Sequence, residues 1–174
     1  GLSSSNMTAL FDHLGIETLV FDVQDVGTRF YTFVWTMWDA LVGAAAASTS
    51  RFLVLDRPNP IGGVAVEGPI LETQFASFIG RLPIALRHGM TVGELALLFY
   101  HVHLDAASQH NLTLDVVRLQ NWSRAMHFGE TGLPFVLPSP NMPTVATALV
   151  YPGTGMFEGT TMSEGRGTTK PFEL

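Results

Sequence analysis

IETLVF, residues 16–21, is a short run of apolar, partly β-branched side chains that stops on an acid, Asp22. That is the pattern of a buried parallel strand whose carboxyl end opens into a polar loop. RFLVL (51–55) repeats it and is closed by Asp56, and LTLDVVRL (112–119) supplies a third such run. Between the first two lie a turn-like DVQDVGT, an aromatic stretch, and a helix around Val34–Ala47 with four consecutive alanines near its end. RPNPIGG, with two prolines and two glycines, reads as a loop, and VAVEGPI after it as a short strand or extended arm. Thr91-Val92-Gly93-Glu94 reads as a capping box, opening a helix to about Leu104 with Leu95, Leu98, Phe99 and Val102 at helical spacing. Strand–helix–strand–loop–helix–strand predicts right-handed crossovers and an α/β fold, a Rossmann-like parallel sheet with flanking helices. Ligands of such sheets bind beyond the carboxyl ends of the strands. The loop with Asp22 and Asp25 and the loop with Asp56, Arg57 and Asn59 should therefore share one rim.

Composition narrows the class. The chain has 174 residues, 47% hydrophobic and only 14% charged, with mean hydropathy +0.27, so it is long enough for one substantial core. Sparse charge suggests strands buried on both faces, or a face lost to a missing partner segment. A net charge of −6 without any Lys/Arg cluster argues against nucleic-acid binding. No apolar run reaches the ~18 residues of a membrane span. The absence of cysteine excludes disulfides, thiolate metal sites and a cysteine nucleophile. Sequons at Asn6, Asn111 and Asn121 carry meaning only in a secreted eukaryotic protein. The chain opens on Gly1 and stops at Leu174 with no closing element, and reads as an internal fragment of a longer protein.

The segment ETGLPFVLPSPNMPTVATALVYPGTGMFEGTTMSEGRGTTKPFE (130–173) is too rich in Pro and Gly for regular structure, yet dense in Asn, Ser, Thr, Glu and Arg. A polar loop segment of that length in a compact domain usually carries a site.

FDVQDVGTRFYT (21–32), LDRPNP (55–60), VEGPIL (66–71), RHGMTVGELA (87–96) and the ETGLP, PSPNMPT, TALVYPGT and SEGRGTT phrases together resemble one family. It is the bacterial NamZ-type exo-β-N-acetylmuramidases, and the likeness runs from about Gly15 to Glu173. The resemblance implies a glycoside hydrolase that removes N-acetylmuramic acid from the non-reducing ends of peptidoglycan fragments, in a secreted or cell-envelope setting. It implies neither metal nor organic cofactor. It further implies two subdomains with the active site between them. Residues 1–150 would be the Rossmann-like domain and 151–174 the beginning of a truncated second one. Relatives extend at both ends, with another acidic motif beside a histidine upstream. Gly155 stands where several relatives carry Cys, which suggests a packing position.

Glycosidases need two carboxyl groups, roughly 5 to 9.5 Å apart according to mechanism. Loop contexts offer Asp22, Asp25, Asp56, Glu67, Glu158 and Glu164. Asp25 leads, since it follows a buried strand and precedes Gly27, Arg29 and Tyr31, although it could instead cap a turn. Asp22, also a catalytic candidate, should lie deeper and bond backbone groups, and Asp56 could simply pair with Arg57. Glu164, in Ser163-Glu164-Gly165-Arg166-Gly167, is the other catalytic candidate, expected to face Asp25 across a cleft together with Arg166. Arg166, Arg29 and Arg87 are candidates for the lactyl carboxylate of the sugar, or equally internal loop braces. His88 could be a general base or a donor to sugar hydroxyls. Asn59 and Asn141, in proline-stiffened loops, could read hydroxyl or N-acetyl groups, or bond their own backbone. Glu67 joins the substrate-binding set as a loop carboxylate. Tyr31 and Trp35 could stack on a sugar, or belong to the core. His101 and His103 have the wrong spacing for zinc on one helix face. No G-x-S-x-G is present, and the Gly- and Thr-rich tail is no P-loop, because Lys170 lies two residues after Thr168 and is followed by Pro171. A non-catalytic cell-wall sugar-binding protein is the rival reading.

Overall fold

Phe52 and Val54 are fully buried, and they make β2 (Arg51–Leu55) the middle strand of a three-stranded parallel sheet. Its neighbours are β1 (Thr18–Phe21) and β5 (Thr113–Val117), in the order β1-β2-β5, with Val54 level with Phe21 and Val116. The computed structural model describes residues 3–173. One sheet face packs on α2 (Phe33–Ala46) and α3 (Val92–Leu98), with α1 (Ser4–Leu14) laid on α2. Trp35, Met37, Leu41, Leu95 and Phe99 meet Phe52 and Val54 there, all of them fully buried. The α/β class and the parallel sheet are as expected. Burial on both faces is not found: Val20 and Val117 on the opposite face are 52% and 53% exposed. The face of β1 that carries Thr18 and Val20 meets no covering layer among the described residues.

The capping box is complete: Thr91 Oγ1 accepts from Glu94 N–H, and Glu94 Oε2 accepts from Thr91 N–H at 3.0 Å. α3 then loosens into a π-helical turn over Phe99–His103, and α4 (Ala106–Asn111) leads into β5. The arm after β2 becomes an antiparallel pair, β3 (Glu67–Ile70) with β4 (Ala85–Arg87). The far side of β4 is stitched to the loop after β1, by a bridge between Thr28 and Arg87 and a bond from Arg29 N–H to the Leu86 carbonyl at 2.7 Å.

One expectation fails in the tail. Val145–Thr154 is a helix, α5, although the segment seemed too rich in Pro and Gly for regular structure. Thr144 caps its first turn and Ala148 and Tyr151, three apart, bury against Phe172, Met142 and Tyr31. Pro152 sits in the final turn, and the chain continues into a 3-10 turn at Gly155. The boundary expected at 150/151 thus falls inside α5. Among the described residues no helix is long and apolar enough to cross a membrane.

Candidate active site

At the carboxyl ends of β1 and β2 the two acid-bearing loops meet. Arg57 Nε and Nη2 both donate to one oxygen, Asp22 Oδ1, at 2.7 and 2.6 Å. Gln24 ties the loops a second time, its amide donating to the carbonyls of Asp25 and Pro58 at 2.7 and 2.9 Å. A cleft of about 460 Å³ opens over this junction. Asp22, Gln24 and Arg57 form its polar side, while Val23, Phe33, Phe128 and residues 133–138 form an apolar wall. The side chains of Asp22 and Arg57 are 46% and 40% exposed, so both are reachable from solvent. Asp22 is therefore not the deeply placed, backbone-bonded acid expected from the sequence; its carboxylate is held by the Arg57 guanidinium at the cleft instead of by backbone groups.

Asp25 is the buried one. Its Oδ2 accepts from Gly27 N–H at 2.8 Å and lies 3.1 Å from His88 Nε2. His88 Nδ1 accepts from Met90 N–H at 3.1 Å, so Nε2 carries the ring hydrogen and donates to Asp25. Asp25 Oδ1, Thr28 Oγ1 and the Tyr31 hydroxyl are buried without a hydrogen-bond partner among the described residues. Burial, and then the charge of Asp25, push the Tyr31 phenol up to about 12; Ser139 pulls weakly the other way without being placed for a full hydrogen bond. Tyr31 packs edge-on to Phe33 and Tyr151, at 4.7 and 6.1 Å between ring centres, and Trp35 is core, with Nε1 donating to the Arg29 carbonyl at 2.7 Å.

Most of the other candidates are occupied as braces. Asp56 does not pair with the Arg57 guanidinium. Its Oδ1 accepts from Gly93 N–H (2.7 Å) and Arg57 N–H (2.9 Å), and its Oδ2 from Thr91 Oγ1 (3.0 Å). It thereby holds the start of α3; burial pushes its pKa up, against those three donors. Asn59 donates to the Met90 carbonyl at 3.0 Å and accepts from Ile61 N–H at 3.1 Å. Arg29 donates to the carbonyls of Pro69 and Ile84 at 2.7 and 2.8 Å. Arg87 spans Glu67 Oε2 and the Ile61 carbonyl, at 2.7 and 2.6 Å, which leaves Glu67 exposed on the arm.

In the tail, Arg166 Nη2 pairs with Glu158 at 2.5 Å and Nε with Glu164 at 2.8 Å, and its guanidinium lies over the Phe172 ring. No hydrogen bond or ion pair joins Glu164 or Arg166 to Asp25 among the described residues; the rings of Phe172, Tyr151 and Tyr31 form the chain between them. Asn141 only approaches Gly167 N–H, at 3.5 Å. A Cβ on Gly155 would fall 2.5 Å from the Phe30 ring, which marks a packing position. Sequence reasoning passed over Arg57 as a ligand-reading arginine and missed the apolar wall at 133–138. The signal for Arg57 was available, since it follows a strand-ending acid on the predicted rim.

Sequence models described as exo-β-N-acetylmuramidase NamZ match this chain, the N-terminal model over residues 5–146 and the C-terminal model over 149–174. A Bacillus subtilis (strain 168) protein named peptidoglycan β-N-acetylmuramidase NamZ is 58% identical over 160 residues, which are 91% of this chain and 37% of that protein. A crystal structure of a DUF1343 family protein from Bacteroides fragilis superposes with TM-score 0.80 at 39% identity, over 90% of this chain and 42% of the other. A second from the same organism gives 0.78 at 38% identity, over 90% and 40%. The chain thus spans about two fifths of the length of the relatives it matches. It belongs to the NamZ exo-β-N-acetylmuramidase family.

Proposed function

We propose that the protein containing this chain is a glycoside hydrolase that releases N-acetylmuramic acid from the non-reducing ends of peptidoglycan fragments. The observation that carries the reading is the strand-end cleft, where an accessible carboxylate and an accessible cation stand beside an apolar wall, in a chain 58% identical to a protein named for this activity. In such hydrolysis one carboxyl group protonates the glycosidic oxygen while a second carboxylate assists attack at the anomeric carbon. Of the six loop carboxylates offered by the sequence, Asp22 is the one that lines the cleft, and its Oδ2 has no partner among the described residues. It is the oxygen we set against the reacting sugar, with Asp25 and His88 behind it holding the loop. A non-catalytic wall-binding role is not favoured, since the relative is named as an enzyme. Release of nitrophenol from 4-nitrophenyl β-N-acetylmuramide by the full-length protein tests the reading; sugar binding without any turnover would overturn it.

A further inference from the structure

N-acetylmuramic acid differs from N-acetylglucosamine by a lactyl ether ending in a carboxylate. A site that selects it needs a cation placed to meet that group. The chain has nine Lys and Arg side chains, of which Arg118 lines a separate pocket beside Asp56 and Lys170 lies in the tail. Arg29 and Arg87 are spent on carbonyls and Glu67. Arg51 pairs with Asp115, Arg81 with Asp39, Arg124 with Glu94, and Arg166 with Glu158 and Glu164. Arg57 alone among them lines the strand-end cleft.

The way it is held matters more than its place. Asp22 Oδ1 takes Nε and Nη2, so it grips the guanidinium side-on. The end-on edge, Nη1 with the second Nη2 hydrogen, has no partner among the described residues. A guanidinium carries five donors in a planar fork and can meet two carboxylates at once, one on each edge. The cleft beside it is walled by Val23, Phe33 and Pro134, which suit the lactyl and acetyl methyl groups.

We infer that Arg57 is the specificity-determining residue of this cleft, its free end-on edge binding the lactyl carboxylate of the sugar while Asp22 holds the other edge. The identity of that sugar rests on the hydrolase reading above. Asp22 thus does double duty, since it orients the fork that admits an acidic sugar next to its own free oxygen.

The test compares 4-nitrophenyl β-N-acetylmuramide with its neutral lactyl methyl ester, on the full-length protein and its Arg57→Gln and Arg57→Lys variants. The parent should prefer the acid. Arg57→Gln should lower kcat/KM for the acid about 10- to 100-fold, chiefly through KM, as expected for one charge-assisted contact, and should abolish the preference. Arg57→Lys keeps the charge without the fork, so its acid-to-ester ratio of kcat/KM should fall between those of the parent and Arg57→Gln. Acid and ester falling together would show a structural role through Asp22 and overturn the assignment, as would a preference that survives Arg57→Gln. Calorimetric titration with free N-acetylmuramic acid separates the two ideas. Arg57-dependent binding without turnover sinks the hydrolase reading and keeps the specificity residue; turnover with Arg57-independent binding does the reverse.

Discussion

Asp25 Oδ2 takes two hydrogens, from Gly27 N–H and His88 Nε2, while Oδ1 takes none. A buried carboxylate so arranged depends on each donor it has, because losing one leaves a charge-bearing oxygen out of water. Replacing His88 by Leu should cost about 1–3 kcal/mol; an unchanged denaturation midpoint would show that the ring is idle. Gly27 has φ +83°, and a Cβ there would meet Asn59 Oδ1 at 2.5 Å, so this turn admits no side chain. The same carboxylate is felt by Tyr31. With a phenol raised from 10 to about 12, the protonated form is favoured in the folded state. Its contribution to stability is fully present below pH 10 and is lost as the pH rises through about 12. An ultraviolet titration should therefore show a late tyrosinate, moved earlier by Asp25→Asn; an ordinary midpoint in the parent would refute it. Asp22 makes a different demand. If its free oxygen serves the reacting sugar, Asp22→Asn should lower kcat by about 10² or more with stability little changed, because the residue is half exposed and its loss removes chemistry more than packing. Full retention of kcat would remove Asp22 from the reaction.

At the scale of elements, α3 is anchored twice, by its own capping box and by Asp56 from the end of β2. The second anchor requires close approach. A Cβ on Gly93 would lie 2.6 Å from Val116 and 2.7 Å from the Asp56 carboxyl carbon. Helix propensity favours Gly93→Ala by about 1 kcal/mol, but overpacking of this kind costs about 1–3 kcal/mol. The variant should therefore be destabilised, with α3 displaced from the strand ends; a rise in melting temperature would show that the contact yields easily. The capping box was legible because its four residues are consecutive. Asp56 was not, since its donors Thr91 and Gly93 lie 35 and 37 positions away. α5 was missed for a related reason: Ala148 and Tyr151 form a buried stripe only once Phe172 and Tyr31 supply its other wall.

Across the whole molecule, burial is uneven. β2 and α2 lie in the main core, whereas every residue of β3 is exposed and the apolar side chains of Phe75, Phe78, Met156 and Met162 face solvent. Local opening follows such contrasts, since sparse packing lowers the cost of exposing backbone amides. Hydrogen exchange should be slowest in β2 and α2 and fastest in the 67–80 arm and the 156–170 tail; uniform protection along the chain would refute this. The sequence by itself determined the strand runs, the parallel α/β order, the capped helix, the shared acidic rim and the family phrases. All of these are written in short windows, through side-chain period, turn residues and caps. Only the tertiary structure decided which charges are spent and which remain free: Asp22 open and Asp25 buried, Arg29, Arg87 and Arg166 tied down, Arg57 left with one edge unused. Those outcomes hang on partners such as Arg57 for Asp22 and His88 for Asp25, 35 and 63 positions away, and no local pattern encodes a contact that packing alone creates.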